Sequence, residues 1–137
     1  YIGGISDTAV AELLTICEIR NYEANDIVYR EHADSTHLFI VHSGQIDIQY
    51  KTPSGSRETT DTCGKGDFLI WSALIVPHKT TSIGICRSRA ELLAFDAVKL
   101  REICSKDTAF GYQMMTLIAG VVRRRLQAAR KEILEQR

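Results

Sequence analysis

The sequence has no long apolar run, no excess of one charge and no compact group of cysteines. No apolar stretch approaches the roughly 20 residues that a membrane-spanning helix needs, so the sequence predicts no membrane segment. Seventeen basic residues balance seventeen acidic ones, which leaves no overall basic surface of the kind that binds nucleic acid. A chain of 137 residues is typical of one domain, which we place over residues 1–137.

The four cysteines, Cys17, Cys63, Cys86 and Cys104, are far apart in the sequence. None has the Cys-x-x-Cys spacing of zinc sites and redox centres, and the four histidines are equally scattered. The pattern therefore predicts no metal site. It favours reduced, mostly buried thiols, as in cytoplasmic proteins.

The motifs of common enzyme classes are missing as well. The sequence has no recognisable carboxylate pair, no Ser-His-Asp order on a known frame and no phosphate-transfer loop. We therefore predict that the chain is not an enzyme and that it has no catalytic residue and no cofactor. Direct DNA binding would need a helix-turn-helix, and none is recognisable here, so no nucleic-acid partner is predicted within this chain.

What the sequence does contain is a helix, a β-rich middle and a helical end. Ser6 and the apolar spacing that follows it predict a capped amphipathic helix over residues 6–18. Residues 19–95 contain short β-rich runs separated by turn residues, a pattern typical of a barrel or sandwich. The predicted strands are Ile27–Tyr29, Leu38–Val41, Ile46–Tyr50, Ile83–Cys86 and Leu92–Phe95.

Residues 96–135 are predicted to form a short and a long helix, with Asp96 and Asp107 as N-caps. Apolar residues spaced by three and four over more than twenty positions indicate that the second helix is long and amphipathic. This apolar stripe contains Met114, Leu117, Ile118, Val121, Val122, Leu126, Ala129 and Ile133.

Residues 66–82 are the most informative segment, since they combine a turn, an apolar run opening on Ser72, a proline, and Lys79 followed by three hydroxyl residues. Backbone N–H groups at a helix start, a cation and hydroxyl donors together suit an anion. The segment resembles the phosphate-binding cassette of cyclic-nucleotide-binding domains, Phe-Gly-Glu-x-Ala-Leu followed by Pro-Arg-Ala-Ala-Thr. Ala73-Leu74, Pro77 and the Thr-Thr-Ser run carry the match.

The resemblance extends over nearly the whole chain. Leu38–Ile46 is similar to the family's strand, Ser-Gly turn and return strand, and Gly66-Asp67-Phe68 is similar to the opening of the cassette. Residues 110–126 resemble the helix pair of bacterial members related to the catabolite activator protein. The resemblance implies a mainly β fold with flanking helices. In such a fold an eight-stranded jelly-roll β-barrel is followed by a short and a long C-terminal helix.

Five positions depart from the family pattern. Asn25 and His32 stand where many members have glycine, and both residue types tolerate positive φ. Ile70-Trp71 replaces Gly-Glu, so the carboxylate that accepts a ribose hydroxyl in the family is missing. Lys79 replaces the cassette arginine and offers a point charge without its bidentate fork. An alignment shifted by one residue would place His78 there instead.

The resemblance implies a small-molecule sensor that binds cAMP, cGMP or another small anion weakly and signals through its long helix. The predicted ligand-binding residues are Ile70, Trp71, Ser72, Ala73, Leu74, Lys79, Thr80 and Thr81. For Trp71, filling the core is the alternative to stacking on a ligand. Arg124 and Arg130 are candidate base contacts. These two and Arg125 could stack on a base, pair with an acid, or form a solvated basic face.

Two further expectations concern the long helix. Its stripe is longer than a small barrel can cover, so we expect a homodimer through residues 114–134. The competing interpretation is a scaffold that binds no ligand, whose pocket is empty or filled by Trp71 and which acts in dimerisation or protein interaction.

Overall fold

The computed structural model describes residues 6–135, apart from the side chain of residue 132; residues 1–5 and 136–137 of the predicted domain lie outside this range. The first helix, α1, runs over Asp7–Ile16, and Ser6 caps it by accepting the N–H of Ala9 at 3.1 Å. Strand β1, Cys17–Tyr22, follows directly. The predicted cap is therefore confirmed, and the helix ends two residues before the predicted position.

One four-stranded antiparallel sheet contains β1, β3 (His37–Ser43), β6 (Phe68–Leu69) and β8 (Ala90–Asp96), in the order β1-β8-β3-β6. In its register, Ile19 lies opposite Leu93, and Phe39 lies opposite Ala94. Strand β8 pairs with both β1 and β3, and α2 begins directly after it, so this sheet sets where the C-terminal helices start.

The second sheet contains β2 (Ile27–Tyr29), β4 (Ile46–Lys51), β5 (Arg57–Cys63) and β7 (Ile83–Cys86), in the order β2-β7-β4-β5. Ile46 lies opposite both Cys63 on β5 and Cys86 on β7. From Ile46 to Gln49, β4 alternates buried and half-buried positions, which is the alternation that the sequence shows; Tyr50 and Lys51 are exposed.

The two sheets face each other across an inter-sheet core and form a barrel-like sandwich that is not closed. Both sheets contribute to this core, which includes Phe39, Val41, Ile46, Ile48, Leu69, Ile70, Leu92 and Ala94. The predicted jelly-roll fold is thereby confirmed. Strands β1, β5 and β6 were not predicted from the residues. Strand β5 is exposed over most of its length, and β6 has only two residues, so neither shows a clear apolar alternation.

Two turns keep a backbone conformation that glycine normally supplies. Asn25 has φ 73° and His32 has φ 58°, so both adopt the left-handed region as predicted. Gly44 has φ 87° and could not carry a side chain, since a Cβ would lie 2.3 Å from the carbonyl oxygen of Arg89. These turns fix the connections on which the strand register depends.

Two helices follow the sheets. Helix α2 runs over Ala97–Lys106, and Asp96 caps it by accepting the N–H of Lys99 at 2.9 Å. Helix α3 runs over Thr108–Glu135, and Asp107 Oδ1 accepts the N–H of Phe110 at 3.1 Å. Both predicted caps are confirmed. Within residues 6–135, neither helix nor α1 is both long and apolar enough to cross a membrane.

The three helices pack on the outer face of the first sheet and form a helical core. This core includes Ala9, Leu38, Phe95, Leu100, Ile103, Phe110, Met114, Ile118 and Val121. The packing ends at Val121, and the apolar residues beyond it are exposed: Val122, Leu126, Ile133 and Leu134. The first half of α3 is therefore fixed to the sheet, and the second half is not buried by this chain.

Candidate functional site

The cassette, residues 66–82, begins with an unusual backbone conformation at Ile70. This residue has φ 62° and ψ 54°, a region that β-branched residues rarely adopt. Its side chain is 8% exposed and packs in the inter-sheet core, which holds the conformation in place. A 3-10 helix, Trp71–Ala73, follows. The N–H groups of Ala73 and Leu74 donate to the carbonyl oxygens of Ile70 and Trp71.

Ser72 is buried at the centre of the cassette. Its hydroxyl shares a 2.6 Å hydrogen bond with the hydroxyl of buried Ser35. Its carbonyl oxygen lies 3.0 Å from Nδ1 of His78, which must carry the proton for this bond to form. The peptide bond between Val76 and Pro77 is cis. The two hydrogen bonds of Ser72 close the turn on itself and attach it to the loop that contains Ser35.

Lys79 and Thr80 contact the same neighbouring loop. The Lys79 ammonium pairs with Asp34 and holds the pKa of that carboxyl below its ordinary value, mainly through the hydrogen bond between them. The Thr80 hydroxyl accepts the N–H of Ala33 at 3.0 Å and donates to the carbonyl oxygen of Arg30. Thr81 is exposed. Two predicted anion ligands therefore have partners within the chain.

The interior beside the cassette is filled by Tyr29. Its hydroxyl lies 2.8 Å from the Ser82 hydroxyl, and burial raises the pKa of Tyr29 to about 12. The ring lies directly against Gly84, where a Cβ would be 2.3 Å from Tyr29 Cε1. Glycine at position 84 is therefore what allows the ring to pack across β7.

Trp71 is half-buried and packs against the helical core, which favours the core-filling interpretation of this residue. From α2, Arg101 Nη1 donates to the carbonyl oxygen of Ala73 at 2.7 Å. The cassette is thus connected to α2 by an apolar contact and a charge-assisted hydrogen bond.

A cavity of about 520 Å³ lies between the second sheet and α3. Strands β4 and β5 line it with Ile48, Tyr50, Thr60, Asp61 and Cys63; Asp67 and Phe68 line it near β6; and α3 contributes Val121, Arg124, Arg125, Ala128 and Ala129. A cavity of this volume is of the size that holds small-molecule ligands.

Arg125 is the most buried arginine of the run from 123 to 125, with a side chain that is 24% exposed. Its Nε lies 3.7 Å from Asp61 Oδ2, so this arginine does pair with an acid. Its Nη2 lies 3.8 Å from the sulfur of Cys63. Burial raises the pKa of the Cys63 thiol to about 11, so the sulfur is an uncharged thiol near neutral pH.

The structure separates the predicted site residues into two places. None of the eight predicted cassette ligands lines the cavity, whereas Arg124 does and Arg130 does not. Asp61 and Asp67 also line it, and sequence reasoning assigned neither to the site. Asp61 lies on β5, and that strand shows little apolar alternation by which it could have been found.

Within residues 6–135 no three His, Cys, Asp or Glu side chains are grouped so that they could hold a metal ion. All four cysteines are free thiols. Burial raises the pKa of Cys86, like that of Cys63, to about 11.

The sequence profile of the cyclic nucleotide-binding domain matches residues 19–107. A comparison with curated protein sequences gives no match. Solved structures with the same fold include a cyclic nucleotide-binding domain from Methylobacillus flagellatus, with a TM-score of 0.84 at 12% identity over 100% of this chain and 77% of that one. The catabolite activator protein of Thermus thermophilus has a TM-score of 0.76 at 18% identity over 96% of this chain and 60% of that one.

A third similar structure is the regulatory subunit of a cAMP-independent protein kinase A from Trypanosoma brucei. It has a TM-score of 0.78 at 11% identity over 96% of this chain and 46% of that one. At these identities the structural likeness establishes the fold alone. The profile match spans β1 to the end of α2 and includes the whole cassette, so this chain belongs to the cyclic nucleotide-binding domain family.

Proposed function

We propose that this chain is a regulatory sensor domain that binds a cyclic nucleotide or another small anion and signals through α3. The observation that carries the proposal is the cavity, because its walls come from the second sheet and from α3. A ligand in it would contact both, and would therefore favour one arrangement of α3 relative to the sheets. The role is regulatory and requires no catalytic residue.

In this proposal the variant cassette also takes part in binding the anion, from outside the cavity wall, since none of its predicted ligands lines the cavity. Lys79 would exchange Asp34 for the ligand, and the hydrogen bond from Arg101 to Ala73 would transmit a movement of the cassette to α2. Because Trp71 and Lys79 replace a carboxylate and a guanidinium fork, we expect at best micromolar affinity for cAMP. Each loss corresponds to roughly 1.5–3 kcal/mol, a factor of about 10 to 150.

Calorimetric titration with cAMP and with cGMP tests the proposal. We expect saturable, weak binding of at least one nucleotide, and about tenfold or greater weakening in Lys79→Ala, the usual effect of removing a charge-assisted hydrogen bond. Lys99→Ala, which removes an exposed lysine of α2 outside the cassette, is the matched control. Nucleotide affinity that Lys79→Ala leaves unchanged would remove Lys79 from the site.

A scaffold that binds no ligand is the second candidate function. What favours it is that the hydroxyl groups of Ser72, Thr80 and Ser82 all bond to other parts of the chain. A fold can persist after its ligand site is lost. Absence of binding by any nucleotide or small acid, together with a stable dimer, would favour this candidate.

We further propose that the chain forms a homodimer through the second half of α3. Val122 is 40% exposed and Leu126 is 52% exposed, and such residues on a projecting helix are commonly buried by a second copy. Sedimentation should show a dimer that the double variant Val122→Glu/Leu126→Glu dissociates. Gln127→Glu, which adds charge at an exposed polar position of the same helix, should leave it intact. A monomeric wild type would contradict the proposal.

A further inference from the structure

The Arg125 guanidinium is the polar group of the cavity that is least satisfied by the protein. Its Nε is buried and has no hydrogen-bond acceptor among residues 6–135. Asp61 Oδ2 lies within ion-pair range of Nε at 3.7 Å, which is beyond hydrogen-bond distance. The Cys63 sulfur near Nη2 is a weak acceptor. Because a buried donor without an acceptor is costly, Arg125 is suited to an added acidic group.

Neither aspartate that lines the cavity accepts a hydrogen bond from Arg125 Nε, and each accepts a backbone N–H close to it in the sequence. Asp61 Oδ1 accepts the N–H of Thr62 at 2.8 Å. Asp67 Oδ2 accepts the N–H of Gly64 at 2.9 Å. Each carboxylate is thereby oriented by its own strand or turn. A ligand acid could meet Arg125 without displacing either backbone hydrogen bond.

Most of the remaining wall is apolar, although Thr60 and Arg124 also line the cavity. Ile48, Phe68 and Val121 are buried, and the Tyr50 side chain and the methyl groups of Ala128 and Ala129 extend this surface toward solvent. A ring system without polar substituents would bury apolar area here. The hydroxyl groups of a sugar would lose hydration against this part of the wall without gaining partners.

We propose that the cavity binds a small organic acid with an apolar ring system, and that Arg125 of α3 holds its acidic group. This deepens the proposed sensor function and rests on it, because it names the ligand class and moves the anion contact from the cassette to α3. Such a ligand bridges β4 and α3, since its ring contacts Ile48 and its acid contacts Arg125. It also competes with Asp61 for the guanidinium, and so alters the contact between β5 and α3.

The test uses two acids, phenylacetate and 2-naphthylacetate, and their uncharged amides, titrated into the whole chain and followed by calorimetry or ligand-observed NMR. The variants are Arg125→Gln, Asp61→Asn and the control Arg123→Gln, which changes an exposed arginine outside the cavity. Circular dichroism checks that each variant is folded. Asp61→Asn removes the competing carboxylate, so it tests the same contact in the opposite direction.

We expect at least one acid to bind saturably and at least about tenfold more tightly than its amide, as a charge-assisted hydrogen bond predicts. Arg125→Gln should reduce the acid to the affinity of the amide, Asp61→Asn should strengthen its binding, and Arg123→Gln should leave it unchanged. Equal affinity for acid and amide, or an acid affinity that Arg125→Gln does not lower, overturns the inference. If Arg125→Gln does not fold, the response to Asp61→Asn decides.

The same titrations separate this inference from the function on which it rests. If neither acid binds but cAMP or cGMP binds and depends on Lys79, the ligand class and the role of Arg125 are wrong and the sensor function stands. If no acid and no nucleotide binds, both proposals fail.

Discussion

The cassette and the cavity beneath α3 differ in how their polar groups are satisfied. In the cassette, Ser72 bonds to Ser35, Thr80 to the loop of residues 30–33, and Lys79 to Asp34. In the cavity, the buried Nε of Arg125 has no hydrogen-bond acceptor in the described part of the chain. The segment whose sequence resembles a ligand site is internally hydrogen-bonded, whereas the donor without an acceptor, Arg125, lies on α3.

This difference shows that residue type alone does not reveal a binding group. Buried polar groups are nearly always hydrogen-bonded, so a satisfied hydroxyl stabilises the fold, whereas an unsatisfied buried donor keeps unused hydrogen-bonding capacity. If internal contacts stabilise the cassette, removing them one at a time should destabilise the fold by amounts that differ with burial and charge.

The largest expected effect is alkaline destabilisation through Tyr29. In the unfolded chain a tyrosine loses its proton near its ordinary pKa of 10.0, whereas folded Tyr29 keeps its proton until about pH 12. The unfolded state therefore binds fewer protons in this window, and the free energy of unfolding falls as pH rises through it. The expected loss is about 2–3 kcal/mol in total.

Urea denaturation at a series of pH values measures this loss. Cys63 and Cys86 add a loss of the same sign from pH 9.0 to about pH 11, since burial also raises their pKa. Tyr29→Phe removes only the tyrosine contribution and is therefore the comparison variant. An equally steep decline above pH 10 in Tyr29→Phe would show that the hydroxyl is not shielded beside the cassette.

The next effect is that of the buried pair between Ser72 and Ser35. Ser72→Ala should lower the free energy of unfolding by about 1–3 kcal/mol, because it leaves the Ser35 hydroxyl buried without its partner. The double variant Ser35→Ala/Ser72→Ala should lose less than the sum of the single variants. Exposed Thr81→Ala is the control, expected within about 0.5 kcal/mol of the wild type. Additive losses would show that the two hydroxyl groups do not depend on each other.

A smaller effect is expected at the connection between the cassette and α2. Arg101→Gln removes the donor to the carbonyl oxygen of Ala73 and should cost about 1 kcal/mol, since Arg101 is partly exposed. Amide hydrogen exchange should become faster in the 3-10 helix Trp71–Ala73. Lys99→Gln, an exposed change on the same helix, should leave that exchange unchanged. Unaltered protection in Arg101→Gln would separate the cassette from α2.

The smallest change in stability is expected from Lys79→Ala, because both partners of its ion pair are exposed. The pKa of Asp34 is the sharper measurement. Removing Lys79 should return that pKa toward its ordinary value of 3.8, which an NMR titration of the carboxyl can follow. Where the pair forms, its contribution is present above that value and is lost as pH falls through the lowered pKa. An Asp34 pKa that does not change would show that the pair does not form in solution.

The elements with periodic apolar residues could be predicted, and the exposed ones could not. Ser6, Asp96 and Asp107 cap helices as predicted, and Asn25 and His32 adopt positive φ. Strand β5 has almost no buried residue, so its sequence carries no alternation and the strand was missed. The cavity was missed for the same reason, since Asp61 and Thr60 reach it from that strand.

The sequence by itself determined the family, the helix caps and the apolar stripe of α3. These depend on local spacing and on motifs that remain recognisable when single residues differ. Only the tertiary structure decided which polar groups have partners. Lys79 lies 45 residues from Asp34 in the sequence, and Arg125 lies 62 residues from Cys63. A donor is satisfied or left open according to what packs against it, and these contacts between distant segments exist only after the sheets and α3 have packed.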